Sequence, residues 1–210
     1  MSWRGFDASA TPKQLRSPHL STTSHAIEIA ARHALEPLPQ GKLDNLCGLY
    51  STINALRLAL AEVVPLSSSR VRQLFEHSVE LLDRKGWLAD ALVEGMSLPR
   101  RLSLARCLAR HVSGDGFEVT VEPPGRSSWD SIGAAFRWID DSLAAGMPVL
   151  AWIYGVDDHY TVIAGTTDTR LHLFDSNGLR FIQKSSCALV GGRHQIPANG
   201  LLRIAVHQTP

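Results

Sequence analysis

The sequence predicts an α+β domain with helices first and an antiparallel sheet after them. Three observations lead there. Apolar residues recur at helical spacing through most of the stretch from residue 47 to residue 111. β-Branched and aromatic runs separated by short polar turns take over from Val149 to Asp175. The two patterns are segregated along the chain rather than alternating, which separates α+β from a doubly wound parallel sheet.

In chain order, Leu49, Ile53, Leu56 and Leu60 form the first stripe, with Asn54 and Arg57 between them. Ser69 to Leu82 carries Val71, Leu74, Phe75, Val79 and Leu82 on one side of a second helix. Leu88 to Val93 and Leu98 to His111 continue the helical half. Gly114-Asp-Gly then breaks the pattern, and Phe117 to Val121 reads as a short strand. After the loop Pro123-Pro-Gly, Ser127 or Ser128 is the expected cap of a helix to about Ala145, with Ile132, Phe136, Ile139 and Leu143 on its apolar face.

Val149 to Tyr154 is a strand with Pro148 at its start, where a missing N–H is tolerated. His159 to Ala164 is the next, Thr166 to Thr169 supplies a turn, and Leu171 to Asp175 is a third. Leu201 to Val206 is expected to add a closing strand.

Chemistry concentrates where this order brings three residues together. Cys47 stands in Asp44-Asn-Leu-Cys-Gly-Leu-Tyr-Ser51, in the first turn of the first helix. A thiol attacks only as its thiolate, and a free cysteine with a pKa of about 8.5 is mostly protonated at neutral pH. A helix N-terminus and a nearby imidazolium both favour the anion. A buried cysteine opening a core helix is the plain alternative for this segment taken alone. His159 opens one strand of the meander and Asp175 closes its neighbour, so antiparallel pairing across a short turn brings them together. A carboxylate there can hold the imidazole in one tautomer and stabilise its charged form.

These residues resemble the papain-fold cysteine peptidases, most closely those that process double-glycine leaders and their stand-alone relatives. The resemblance rests on Cys47, Gly48 and Ser51 before an apolar helix, on Gly146, Pro148 and Val149 leading to His159, Tyr160, Val162 and Gly165, and on Asp175 after the next strand. It spans roughly residues 38 to 185, and the intervening helices match only in kind. It implies a papain-like fold, with Cys47 on the helical half and His159 and Asp175 on the sheet half, the site lying in the cleft between them. It also implies a Gln a few residues before the Cys whose amide helps bind the oxyanion. Gln40 is the counterpart, one residue further from Cys47 than the family places it, and Asn45 is its rival. Asn177 is an alternative partner for His159, because Asn orients the His in papain-like sites, while Asp175-Ser-Asn-Gly178 also has the composition of a tight turn.

The expected activity is that of a cysteine peptidase or amide hydrolase working through an acyl-enzyme on a protein or peptide substrate, as a secreted effector or toxin in one version. An acyltransferase, a transglutaminase-like enzyme or a deamidase would use the same three residues. A papain-fold module that binds a partner without turnover is the rival from another class.

Other candidates are weaker. Cys107 lies on an arginine-bearing helix and reads as packing; Cys187 follows Ser185-Ser186 in a loop or short helix. His172 is a strand residue between two leucines, His194 sits in a loop at a potential substrate rim, and His19, His25 and His33 precede the core. Asp157 and Asp158 before His159 read as an exposed loop pair. No Cys-x-x-Cys or His-Glu-x-x-His spacing occurs, so neither a metal nor a cofactor is expected.

The 210 residues, 44% of them hydrophobic, suffice for one substantial core. A net charge of +1 gives no electrostatic footprint for nucleic acid or an anionic membrane. No apolar run is long enough to span a bilayer. Three cysteines cannot all pair within the chain, which favours a reducing compartment. Residues 1 to 24 are rich in Ser, Thr and Pro, carry Arg4, Lys13 and Arg16 against Asp7, and lack the apolar core of a signal peptide. They read as a flexible arm before a domain of residues 25 to 210, with a delivery signal or an inhibitory segment as alternatives. The location expected is cytoplasmic, or outside the cell by a route without a cleavable signal peptide.

Overall fold

The first helix, α1 (Cys47–Ala59), carries Leu49, Ile53 and Leu56 fully buried. Burying each such side chain contributes about 1.5–3 kcal/mol, which outweighs the modest helix propensity of Thr52 and Ile53. The computed structural model describes the backbone of residues 27–28, and residues 34–125, 129–156 and 158–209. The predicted arm at residues 1–24, with His19, and His25, His33 and Asp157, lie outside the described residues.

Helix α2 (Ser68–Arg84) begins after Ser67, whose hydroxyl accepts from the Arg70 N–H. Helices α3 (Leu88–Val93) and α4 (Leu98–Val112) follow, α4 with a proline in its first turn, where the missing N–H costs nothing. Helix α5 (Ile132–Ala144) starts later than expected. Its cap is Ser131, which accepts from the Ala134 N–H, rather than Ser127 or Ser128, which lie outside the described residues.

The strands are β1 (Ile27–Glu28), β2 (Phe117–Glu122), β3 (Val149–Gly155), β4 (His159–Thr166), β5 (Arg170–Leu173), β6 (Phe181–Gln183), β7 (Cys187–Ala188), β8 (His194–Gln195) and β9 (Leu201–Gln208). The main sheet runs β2-β9-β3-β4-β5-β6, antiparallel throughout, with β1 paired to β4 and β8 to β3, while β7 and β8 pair in parallel. The protein is thus a mixed α+β fold built on an antiparallel sheet. All eight residues of β4 are buried, and both α1 and α5 pack on it.

Three strands depart from expectation. β9 does not close an edge: it runs inside the sheet, between β2 and β3. β5 ends at Leu173, two residues before Asp175, because a tight turn held by the Asp175 carboxylate through the Asn177 and Leu179 N–H groups takes over. Cys187 lies on the short strand β7 rather than in a loop or helix, and burial pushes its thiol up to about 11. The short strands β1, β6, β7 and β8 have too few residues for any periodicity to register.

Candidate active site

Cys47 is the first residue of α1, so its N–H is among those with no partner inside the helix. No side chain caps that end: Leu46 holds the cap position, and its own N–H donates to Asp44 Oδ1 at 3.0 Å. The positive end of α1 therefore faces the sulfur and no competing carboxylate occupies the first turn. Cys47 is only 8% exposed, and its thiol makes a long 3.9 Å contact to the Asn45 carbonyl.

Antiparallel pairing sets His159 opposite Ile153, beside the loop that joins β3 to β4. Its Nε2 lies 2.6 Å from Asp175 Oδ2, and the Cys47 sulfur is near enough to act on the charge of the ring. With Nε2 taken, Nδ1 is the nitrogen that serves the sulfur. Burial alone would lower the imidazole pKa, but the bond to Asp175 and the charges of Asp175 and Cys47 outweigh it and raise the value to about 9. Burial would likewise raise Asp175. The His159 bond and charge, with backbone N–H donors, hold it below the usual carboxylate range instead.

The turn after β5 shapes that carboxylate. Asp175 Oδ1 accepts from the Asn177 N–H at 2.8 Å and the Leu179 N–H at 3.1 Å, and Gly178 takes the positive φ of 84° that the turn requires. The turn reading and the carboxylate reading of this segment therefore both hold. Asn177 takes part through its backbone; its side chain is exposed, and His159 pairs with Asp175 instead.

Gln40 and Asn45 both line the cleft beside Cys47. Gln40 Nε2 donates to the Asp44 carbonyl at 2.6 Å, and its backbone N–H donates to the Ser176 carbonyl at 3.0 Å, stitching the loop before Cys47 to the turn that carries Asp175. Asn45 Nδ2 donates to the Val93 carbonyl and its backbone N–H to the Leu92 carbonyl, pinning the same loop to the end of α3. Each carboxamide has two N–H groups, so each keeps one beyond these bonds.

Two grooves meet at the sulfur. One, of about 840 Å³, is walled by Met96 and the start of α4 on one side and by Trp152 and Tyr160 on the other. The second, of about 650 Å³, runs past His159, Asn177 and His194. Asn45, Cys47 and Asp158 belong to both, so an extended chain passing from one groove to the other crosses the thiol. Asp158 is exposed there, and His194 is half-buried at the rim of the second groove.

Sequence reasoning missed part of the surroundings. Tyr160, seen only as part of a motif, is buried, donates its hydroxyl to the Met96 carbonyl at 2.7 Å, and has its pKa raised to about 12, mainly by burial. Arg101 is completely buried beneath it. The available signal was its place in the stripe Arg101, Leu104, Ala105, Leu108 and Val112, a charge where the helix turns inward. Cys107 is half-buried on α4, 3.8 Å from His77 Nε2, and His172 is half-buried on β5; both are remote from Cys47 in the fold.

Among the described residues no group of three metal-ligating side chains occurs, and no helix is long and apolar enough to cross a membrane. Compared with protein-family models, with curated proteins and with solved structures, the chain matches none.

Proposed function

We propose that the protein is a papain-like cysteine hydrolase acting on a peptide or protein amide. The observation that carries this reading is the single chain of contacts Cys47–His159–Asp175, with the sulfur at a helix N-terminus and at the junction of two grooves. Cys47, as thiolate, attacks the carbonyl carbon; its proton has passed to Nδ1 of His159. The oxyanion forms against the Cys47 N–H and the remaining N–H of Gln40, with Asn45 as the other donor within reach of the cleft. His159 gives its proton to the leaving amine, then takes one from the water that hydrolyses the thioester. Asp175 orients the ring throughout. The grooves on both sides of Cys47 suit an extended chain better than a compact metabolite.

One observation favours a second reading. Both candidate oxyanion amides already hold backbone carbonyls, which suits a module that binds a peptide with little turnover. An amine acceptor in place of water would make the same site an acyltransferase, and a side-chain amide as substrate would make it a deamidase.

Incubation of wild type, Cys47→Ala and His159→Ala with a diverse peptide library, read by mass spectrometry, tests the proposal. New peptide termini that vanish in both variants are the expected result. Conversion of Gln to Glu without new termini would point to deamidation. Peptides retained without any chemical change, by wild type and Cys47→Ala alike, would overturn the hydrolase and leave the binding module.

A further inference from the structure

The mechanism above leaves one buried charge unused. Arg101 on α4 is 0% exposed, and no salt bridge engages it among the described residues. Among the described residues its one hydrogen bond runs from Nη2 to the Gly200 carbonyl at 2.9 Å, and Nε and Nη1 find no partner there. A cation taken from water in this way is costly to keep, and a leucine or methionine at this point of the stripe would fill the core without that cost. Cations kept buried without a counter-ion cluster at functional sites.

Its neighbours show what the charge faces. The guanidinium lies 4.5 Å from the centre of the Tyr160 ring. That ring also lies against the start of α1: a Cβ built on Gly48 would stand 3.2 Å from Tyr160 Cδ2. The Tyr160 ring thus lies against both the Arg101 guanidinium and the Cys47-Gly48 turn, and the guanidinium itself is out of contact with solvent. Tyr160 does not supply the missing anion, since its phenol donates to Met96 and ionises only near 12.

We propose that Arg101 is a positioning residue that acts through the core to hold the Cys47 sulfur as the thiolate. This deepens the hydrolase reading and rests on it. The charged groups around the sulfur are Arg101 on α4, His159 on β4, Asp175 after β5, Tyr160 on β4, Asp158 at the cleft and Asp44 before α1. Of these, Arg101, His159, Asp175 and Tyr160 are buried, and Tyr160 is a neutral phenol. With His159 protonated, the two buried cations are balanced by Asp175 and a Cys47 thiolate; a neutral thiol leaves one positive charge in excess. The Arg101 guanidinium shows the reciprocal effect: burial lowers it to about 10, and Tyr160 and Cys47 both act to raise it.

The test is the pH profile of Cys47 alkylation by iodoacetamide, read by intact mass, for wild type, Arg101→Lys and Arg101→Met. Arg101→Met is expected to move the acid limb of the profile up by about one pH unit, about tenfold slower alkylation at a given low pH, while Arg101→Lys stays within about threefold of wild type. A folded Arg101→Met with an unmoved profile overturns the proposal while leaving the hydrolase reading intact. An ordinary thiol profile in wild type overturns both. As a second measurement needing no core substitution, the Arg101 Nε–H resonance is followed by NMR through the titration of wild type and of Cys47→Ala. A resonance that tracks the thiol only when Cys47 is present supports the proposal, and one indifferent to Cys47 overturns it.

Discussion

Asp175 divides its two oxygens between different partners: Oδ1 accepts two backbone N–H groups, from Asn177 and Leu179, and Oδ2 faces Nε2 of His159. That division makes Asp175→Asn a sharp perturbation. The two backbone donors claim the carboxamide oxygen, so the NH₂ group must point at His159. Nε2 then has to accept, its proton moves to Nδ1, and the nitrogen facing the sulfur can no longer take the thiol proton. The charge that supports the imidazolium is lost as well. His159 stands at about 9 against an ordinary 6.5, roughly 3 kcal/mol in favour of the charged ring at about 1.4 kcal/mol per unit. Without Asp175 the dominant remaining influence is burial, which acts in the opposite direction. The acid-side alkylation of Cys47 by iodoacetamide should therefore fall by at least ~100-fold at pH 6, and peptide turnover by about 10³ to 10⁴-fold. Asp175→Ala, which removes the wrong donor along with the right acceptor, should be no worse. Nitrogen-15 NMR of His159 reads the tautomer directly. Retention of low-pH alkylation within tenfold of wild type in Asp175→Asn would refute the reasoning.

Three further outcomes are expected. His159 has a raised pKa, so its contribution to stability is full below about 6.5 and is lost as the pH rises through about 9; Asp175, held low, contributes above its ordinary 3.8 and loses this as the pH falls through its lowered value. Urea denaturation of wild type and His159→Ala across pH 5 to 10 should show the gap between them narrowing on the alkaline side, and a constant gap would contradict the assignment. Gln40→Ala should leave the alkylation profile within about threefold of wild type and cut peptide turnover by about 10²-fold or more, the mark of a donor needed only by the oxyanion, whereas equal loss in both assays would make Gln40 a scaffold residue alone. Gly155→Ala should destabilise the protein by about 2 kcal/mol or more in thermal melts, because Gly155 has φ of 126° and a Cβ there would stand 2.5 Å from the Arg193 carbonyl; an unchanged melting temperature would show that the 190–194 loop gives way.

The sequence was most legible where one periodicity ran long enough to outweigh local accident. The stripe from Leu49 to Leu60 and the runs at Val149 and His159 announced their elements because each buries a defined face against a single core. Cys47, His159 and Asp175 were readable because each stands at an element boundary, where a side chain escapes the packing that absorbs its neighbours. The three meet in the structure, whereas the side chain of Asn177 stays exposed, and the notion of Asn45 as a rival donor gains a second meaning as a clamp on α3. The interior position of β9 was hidden, since it depends on pairing with strands remote in sequence, whereas the Ser131 cap and the stop of β5 at Leu173 rest on bonds only a few residues long, among several serines and turn residues that could equally have made them. Arg101 was hidden differently: among the four arginines from residue 100 to residue 110, nothing local marks the one that points inward.

β9 has a consequence for how the reactive sulfur comes into being. It is the last strand described, yet it sits in the middle of the sheet and contacts both β2 and β3, and the Gly200 carbonyl just before it takes the one hydrogen bond of Arg101. During synthesis, Cys47 leaves the ribosome long before any of these residues. Until the chain beyond residue 200 has emerged, β2 and β3 lack the strand that joins them and the hairpin bearing His159 has no support on that side. The juxtaposition of Cys47 with His159 and Asp175 is thus completed only when the whole sheet has formed.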